Sequence, residues 1–331
     1  MLLKLNLMKI LAPYQEAFLA YLASQDFAKE PQGLYAPIEY IIHLGGKRLR
    51  PILVLMAAEA FGAHAKKALP AAMAIETFHN FSLIHDDIMD DAPLRRGKET
   101  VHEKWDVNTG ILSGDAMLIQ AYRYFENYDV QLFKPLLQLF SKTAQEVCEG
   151  QQYDVDFEER DNVSIAEYLH MIENKTAVLV AAALQMGSMI ADADNKNQQL
   201  IYQFGLDLGI AFQLQDDYLD AFGNPETFGK KVGGDIAENK KTFLYLKALE
   251  LAKPDEAGQL RHLYSLHPDD DTAKIENTKQ IFVESGAAKA SLEAIEQYTT
   301  SAFKNLEKIE ISADFKKIFT EFGNWLMNRK L

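Results

Sequence analysis

Apolar residues recur along this chain at three- and four-residue spacing almost from end to end, and stretches that alternate apolar and polar at strand period are scarce. Ala, Leu, Ile, Met, Glu and Lys fill most of the pattern, so the expected fold class is all-α. A first helix is expected from about residue 12 to 28, stopped by Pro31, Gly33 and Pro37, and a second carries His43 up to the glycines Gly45 and Gly46. From Ile52 to Phe61 the run is apolar on nearly every side, which marks it as core. Further helices are expected over about 69–90, 113–128, 134–157, 164–191 and 198–221, with Ser164 and Glu167 forming a capping box at the head of the fourth. Gly223, Asn224 and Pro225 end the last of these, and a Gly- and Lys-rich loop runs to Asp235. Shorter helices follow from about Lys240, separated by Pro254 and the turn 267–271. No solenoid period or low-complexity linker interrupts the pattern, and one domain spanning residues 1–331 is expected.

Composition sharpens the picture in a few places. The 18 glycines and 10 prolines fall below ordinary usage, which favours long helices. A formal net charge of −14 argues against the clustered Lys and Arg of a nucleic-acid footprint. Cys148 is the single cysteine, so neither an intramolecular disulfide nor a cysteine zinc cluster can form. It reads as a small buried residue in a protein of the reducing cytoplasm. Lys4, Asn6 and Lys9 interrupt the apolar start, which makes a poor signal peptide, and the longest apolar run, Ala177 to Ala191, falls short of a membrane span of about 20 residues. A soluble protein without an integral membrane segment is expected.

The chemistry concentrates in two DDxxD clusters, Asp86, Asp87 and Asp90, then Asp216, Asp217 and Asp220. On a helix, first and fifth positions lie about 40° apart in azimuth and one turn apart in height, so each outer pair aims at one spot. Like charges stacked this way call for a cation. Hard carboxylate oxygens suit Mg²⁺, which characteristically joins protein carboxylates to substrate phosphates. A single cluster is as readily a solvated acidic face; two, each preceded by an apolar helical run, favour metal and a diphosphate ligand. Cations are at hand: Lys47, Arg48 and Arg50 beside Gly45 and Gly46, and Arg95 and Arg96 just after the first cluster, where guanidinium forks match diphosphate oxygens. Neither a Walker A loop nor a dinucleotide fingerprint is present. His79 precedes Asp86 by seven residues, about 20° away in azimuth, and shares a stripe with Asp86 and Asp90.

In this order the chain carries GGKRLRP at 45–51, ETFHNFSLIHDDIMD at 76–90, LRRG at 94–97, GDA at 114–116, GQQYD at 150–154, KTA at 175–177, FQLQDDYLD at 212–220 and FGKKVGGD at 228–235. Over most of its length it thereby resembles the trans-isoprenyl diphosphate synthases, the polyprenyl synthetase family. The resemblance implies a single bundle of long antiparallel helices around a central cavity, with the aspartate motifs facing one another at its mouth, and a homodimer. The implied reaction is a head-to-tail condensation of isopentenyl diphosphate with an allylic diphosphate (dimethylallyl, geranyl or farnesyl), using three Mg²⁺ ions when substrate is bound.

By position, the resemblance makes Asp86, Asp87, Asp90, Asp216 and Asp220 metal ligands, and gives Asp86, Asp90, Asp216, Lys175 and Arg95 the catalytic roles. Lys47, Arg50, His79 and Arg96 match the isopentenyl diphosphate site. Arg95, Lys175, Thr176, Gln213, Lys230 and Lys240 match the allylic site, with Lys231 an alternative to Lys230, and Gln151 and Asp217 are further substrate-binding positions. Phe81 and Ser82, with Phe78 a turn earlier, occupy the positions that limit product length. One aromatic there implies a C20 product, with C15 as the alternative. Helix geometry alone sets Phe81 about 140° from Asp86, which leaves a purely core role open. Of the rivals, a class I terpene cyclase would lack the second DDxxD and GGKRLRP. A phosphohydrolase built on the His85 and Asp86 pair would need further histidines, and a non-catalytic subunit would have lost an aspartate motif.

Overall fold

A computed structural model describes residues 2–224 and 232–328 of the chain; Lys230, Lys231, Arg329 and Lys330 lie outside the described residues. Among the described residues the chain is all-α apart from one small hairpin, as the periodicity requires. Helices α1 (Leu2–Ala23), α2 (Gln32–His43), α3 (Leu49–Ala60) and α4 (Leu69–Met89) lead to strands β1 (Leu94–Arg95) and β2 (Lys98–Glu99), which pair antiparallel with Leu94 opposite Glu99. Next come α5 (Val101–Lys104), α6 (Val107–Arg123), α7 (Val130–Glu159), α8 (Ile165–Ile172), a π-helical turn at Glu173–Ala177, α9 (Val178–Ile190) and α10 (Asn195–Phe222). Further along the chain lie α11 (Gly234–Ala237), α12 (Phe243–Leu251), α13 (Pro254–Leu263), α14 (Thr272–Glu284), α15 (Ala287–Lys308) and α16 (Ala313–Met327).

Two compact units make up the chain. One comprises Met8–Ala144 with Ala182–Gln199; the other comprises Met1–Leu7, Gln145–Ala181 and Leu200–Leu331. In the first, α4 packs against α3 and α6. Residues 51–58 of α3 are all buried, as its unbroken apolar run demands. Phe78 on α4 meets Phe140 edge to face at 5.4 Å, and Phe125 lies 5.0 Å from Phe140. Each fully buried phenylalanine contributes about 1.5–3 kcal/mol of apolar burial, so this cluster sets the position of α4 and with it the first aspartate motif. In the second unit, Phe204 of α10 packs edge-on to Phe319 of α16, and the buried Asp207 accepts from Ser301 at 2.7 Å and Asn305 at 3.1 Å on α15. These contacts hold α10, which carries the second motif.

Several boundaries differ from the periodicity for local reasons. Helix α1 begins at Leu2 and contains Pro13, because the buried stripe of Leu7, Leu11, Phe18 and Leu22 runs through the proline. Helix α6 starts at Val107, where the Asp106 carboxylate accepts the Thr109 N–H at 2.8 Å. The capping box of Ser164 and Glu167 is formed, but the helix it opens gives way to the π turn after Ile172. Helix α15, at 22 residues, is not short. Cys148 is exposed rather than buried, because it sits off the α7 stripe of Leu136, Phe140, Ala144 and Val147 that turns inward. Among the described residues no helix is long and apolar enough to cross a membrane.

Candidate active site

The first DDxxD occupies the end of α4, and its three carboxylates are not equivalent. Asp86 is half-buried and Asp90 exposed, whereas Asp87 is buried against Arg95. Arg95, held on β1, donates from Nε to Asp87 Oδ1 at 2.7 Å. Its Nη2 lies 2.6 Å from the same oxygen and 3.4 Å from Asp86 Oδ2. Burial pushes the Asp87 carboxyl up, and the Arg95 hydrogen bond works against that rise. Burial likewise opposes the charge of Arg95, but Asp87, Asp86 and Asp90 outweigh it and keep the guanidinium firmly protonated. Asp87 Oδ2 is buried without a hydrogen-bond partner.

The turn between α2 and α3 brings the basic segment to the same unit. Gly46 has φ +119°, and a Cβ there would sit 2.9 Å from Cζ of Arg96, so only glycine lets that guanidinium lie across the turn. Arg96 donates to the Gly45 carbonyl. Arg48 is not part of an open cation cluster: it is buried, pairs with Glu76 and donates to the Ile42 carbonyl, which locks the turn from inside. Arg50 Nη1 lies 3.1 Å from His79 Nε2. Burial first, then Arg50, Arg96, Arg95 and Arg48, push the His79 pKa well below its usual value, so the ring is neutral and accepts from Arg50. Burial also lowers Arg50 and, with Arg48, Arg96. Guanidiniums gathered this closely, with Arg48 and Arg95 both acting against the charge of Arg96, make a favourable place for a multiply charged anion. Lys47 follows in the same turn.

In the second unit, Asp216 is half-buried while Asp217 and Asp220 are buried. The Tyr168 hydroxyl donates to Asp217 Oδ2, Gln213 Nε2 donates to Oδ1 at 3.0 Å, and Thr176 Oγ1 donates to Gln213 Oε1 at 3.3 Å. Burial and the nearby Asp235 push the Asp217 carboxyl well up. Asp220 Oδ1 accepts the Asp235 N–H at 3.0 Å. Lys175 donates to Asp154 at 2.6 Å. Burial works against the charge of Lys240, but Glu238 at 2.9 Å, with Asp235 and Asp154 nearby, holds its pKa above the usual lysine value. Gln151 Nε2 is buried without a hydrogen-bond partner.

Lys175 and Thr176 sit on the π turn, a distortion that recurs at functional sites. Two glycines make room for it. A Cβ on Gly150 of α7 would lie 2.7 Å from Lys175 Cα, and one on Gly209 of α10 would lie 2.7 Å from Ala177 Cα. Both helices therefore press backbone to backbone on the turn that presents Lys175. Tyr168, Asp154, Asp235 and Glu76 were not singled out as site residues from the sequence, although Glu76, Asp154 and Asp235 close or open the motifs at 76–90, 150–154 and 228–235; Tyr168 lies in none of them and shows only as part of the buried face of α8 with Met171 and Ile172.

Of the length-limiting positions, Phe81 is buried, 5.4 Å from the Phe78 ring and 4.9 Å from that of His85. Ser82 is half-buried and donates to the His79 carbonyl at 2.9 Å.

In both aspartate motifs the middle carboxylate is thus tied to a protein donor, and the outer ones supply hard oxygen without thiolate or imidazole. That donor set fits Mg²⁺.

Comparison with known proteins gives the family. The family model described as polyprenyl synthetase matches residues 31–282, and the chain belongs to that family. Among its relatives, the geranylgeranyl pyrophosphate synthase of Geoglobus acetivorans is 37% identical over 304 residues, covering 91% of this chain and 92% of that protein. A crystal structure of a geranylgeranyl pyrophosphate synthase is 59% identical with a TM-score of 0.93, covering 97% of this chain and 99% of that one. The polyprenyl synthase of Caulobacter crescentus, solved in complex with calcium and isoprenyl diphosphate, is 29% identical with a TM-score of 0.86 over 98% of this chain and 97% of its own.

Proposed function

We propose that this protein is a Mg²⁺-dependent short-chain trans-prenyltransferase that condenses isopentenyl diphosphate head-to-tail with an allylic diphosphate and releases geranylgeranyl diphosphate, C20. The observation that carries the reading is the repeated motif geometry: in each DDxxD the middle carboxylate is fastened by protein donors, Arg95 in the first and Tyr168 with Gln213 in the second, beside two further carboxylates on the same helix. The relatives named for geranylgeranyl products support the chain length.

In this reading Asp86, Asp90 and Asp216 carry the ions, with Asp220 and the second oxygen of Asp87 as further ligands. Magnesium, when bound, supplies charge that neutralises the leaving diphosphate. Arg95, Lys175 and Lys240 hold the allylic diphosphate and stabilise the charge that gathers on it as the C–O bond ionises. Gln213, Thr176 and Gln151 orient it, and a lysine of the 228–235 segment, outside the described residues, completes the grip. Lys47, Arg50, Arg96 and the neutral His79 bind isopentenyl diphosphate, whose double bond attacks the allylic carbon. The product loses its proton to the released diphosphate, so no protein base is required. Phe81, backed by Phe78, limits elongation.

The protein works as a cytoplasmic homodimer. Helix α6 supports the dimer: Val107, Ile111, Leu112 and Ile119 are between 42% and 62% exposed, more apolar surface than one helix of a monomer ordinarily leaves in water.

The test is direct. Purified protein is incubated with isopentenyl diphosphate, Mg²⁺ and dimethylallyl, geranyl or farnesyl diphosphate, and product length is read by chromatography. C20 is expected; no condensation with any primer would overturn the reading, and a C15 product would correct its chain length.

A further inference from the structure

Beside the first aspartate motif, and distinct from it, the structure gathers a second set of ligating groups. Asp91 follows α4 in the left-handed conformation at φ 48°, outside the helix that carries Asp86, Asp87 and the end of the motif. His102 and Glu103 lie on α5. A nitrogen of His102 and one carboxylate oxygen each of Asp91 and Glu103 all lie within 4.8 Å of one another.

Residue chemistry separates this cluster from a chance meeting of surface acids. His102 is only 9% exposed, and neither ring nitrogen has a hydrogen-bond partner. Its Nε2 reaches no closer than 3.8 Å to Glu103 Oε1. A buried imidazole almost always finds a partner for at least one nitrogen. Two exposed carboxylates stand near the ring, neither at hydrogen-bond distance, and the buried Asp87 lies close enough for its carboxyl to feel the charge of His102. Bond lengths of about 2.0–2.2 Å to zinc place neighbouring donors some 3–4 Å apart, so modest rotations of the two free carboxylates bring all three groups onto one ion.

We infer that Asp91, His102 and Glu103 form a separate divalent-cation site of mixed nitrogen and oxygen ligation. The all-oxygen aspartate motifs suit magnesium; one imidazole shifts preference toward a borderline ion such as Zn²⁺, for which Mn²⁺ serves as a paramagnetic probe. The position gives the ion a structural task. Between Asp91 and His102 lie β1 and β2, which carry Arg95 and Arg96. An ion bound at both ends of this segment closes the loop and limits its opening, and so keeps Arg95 on Asp87. It is a clasp on the arginine hairpin, not a member of the cluster that handles diphosphate.

Pulsed electron paramagnetic resonance of the full-length protein titrated with Mn²⁺ alone tests this. Imidazole ligation imprints nitrogen-14 modulation on the bound ion, and ions held only by carboxylates lack it. We expect nitrogen-coupled Mn²⁺ in the wild type. In the double variant Asp91→Asn, Glu103→Gln, we expect loss of that coupling together with one bound Mn²⁺ per chain, the uncoupled Mn²⁺ being retained. Both substituted residues are exposed, so the variant keeps its fold, and a circular dichroism melt checks it. Bound Mn²⁺ without nitrogen coupling in the wild type, or coupling unchanged in the variant, overturns the site. Neither readout depends on prenyl transfer, so the outcome is independent of the proposed activity.

Discussion

The Tyr168 hydroxyl is hydrogen-bonded to Asp217 Oδ2, in the interior of the unit that carries the second aspartate motif. Gln213 holds the other oxygen of the same carboxylate, and Arg95 does the equivalent for Asp87 in the first motif. In the proposed function Tyr168 is a positioning residue: it holds the middle carboxylate of the motif to which Asp216 and Asp220 belong.

Replacing Tyr168 with Phe keeps the ring and its packing but strands a buried carboxylate oxygen. The expected loss is about 1–2 kcal/mol of stability. Turnover is expected to fall about tenfold or more, equivalent to some 1.4 kcal/mol of barrier, with a raised Mg²⁺ requirement. A magnesium titration of kcat separates this from a merely structural effect: an unchanged Mg²⁺ dependence would refute the positioning role.

Gly150→Ala drives a methyl group into the backbone at Lys175. Overpacking of this kind costs about 1–3 kcal/mol, and displacing the π turn moves Lys175 and Thr176 together. A lower melting temperature and a raised KM for the allylic substrate are expected. Gly258→Ala on α13, where a Cβ would meet nothing within 4 Å, is the control and should stabilise by up to about 1 kcal/mol.

Phe81→Ala opens space beside Phe78 and His85. Product analysis should show chains longer than C20, along with a destabilisation of about 3–5 kcal/mol from the emptied volume. Unchanged product length with lowered stability would make Phe81 a core residue and nothing more.

His79 gives a pH signature whose sign is fixed. Its folded-state pKa lies well below the 6.5 of the free side chain, so the unfolded chain takes up the proton more readily than the folded one. The stability conferred by the neutral ring is complete above about pH 6.5 and declines as pH falls below it. In His79→Gln this decline should be weaker, as thermal melts at about pH 7.5 and about pH 5.5 would reveal. Parallel pH dependence in both proteins would refute the burial argument.

The apolar strip of α6 predicts association. Sedimentation should give a mass near twice 37.4 kDa for the wild type and near one chain for Leu112→Asp combined with Ile119→Asp. A monomeric wild type, or a variant of unchanged mass, would locate the interface elsewhere or remove it.

The sequence by itself determined what depends on local spacing. Helical periodicity yielded the all-α fold, and the repeated DDxxD identified two carboxylate pairs, because residues four apart on a helix must share a face. Capping at Ser164 was legible for the same reason. Tertiary structure alone decided which charges are spent within the protein. Arg48 and Arg50 are two residues apart in one basic run, yet Arg48 is consumed by Glu76 and Arg50 faces His79. No pattern along the chain predicts Tyr168 as the partner of Asp217, 49 residues away, or the π turn between Gly150 and Gly209. Both arise where separate helices approach, and the free energy of burying a charge or admitting a backbone depends on neighbours that sequence distance does not encode.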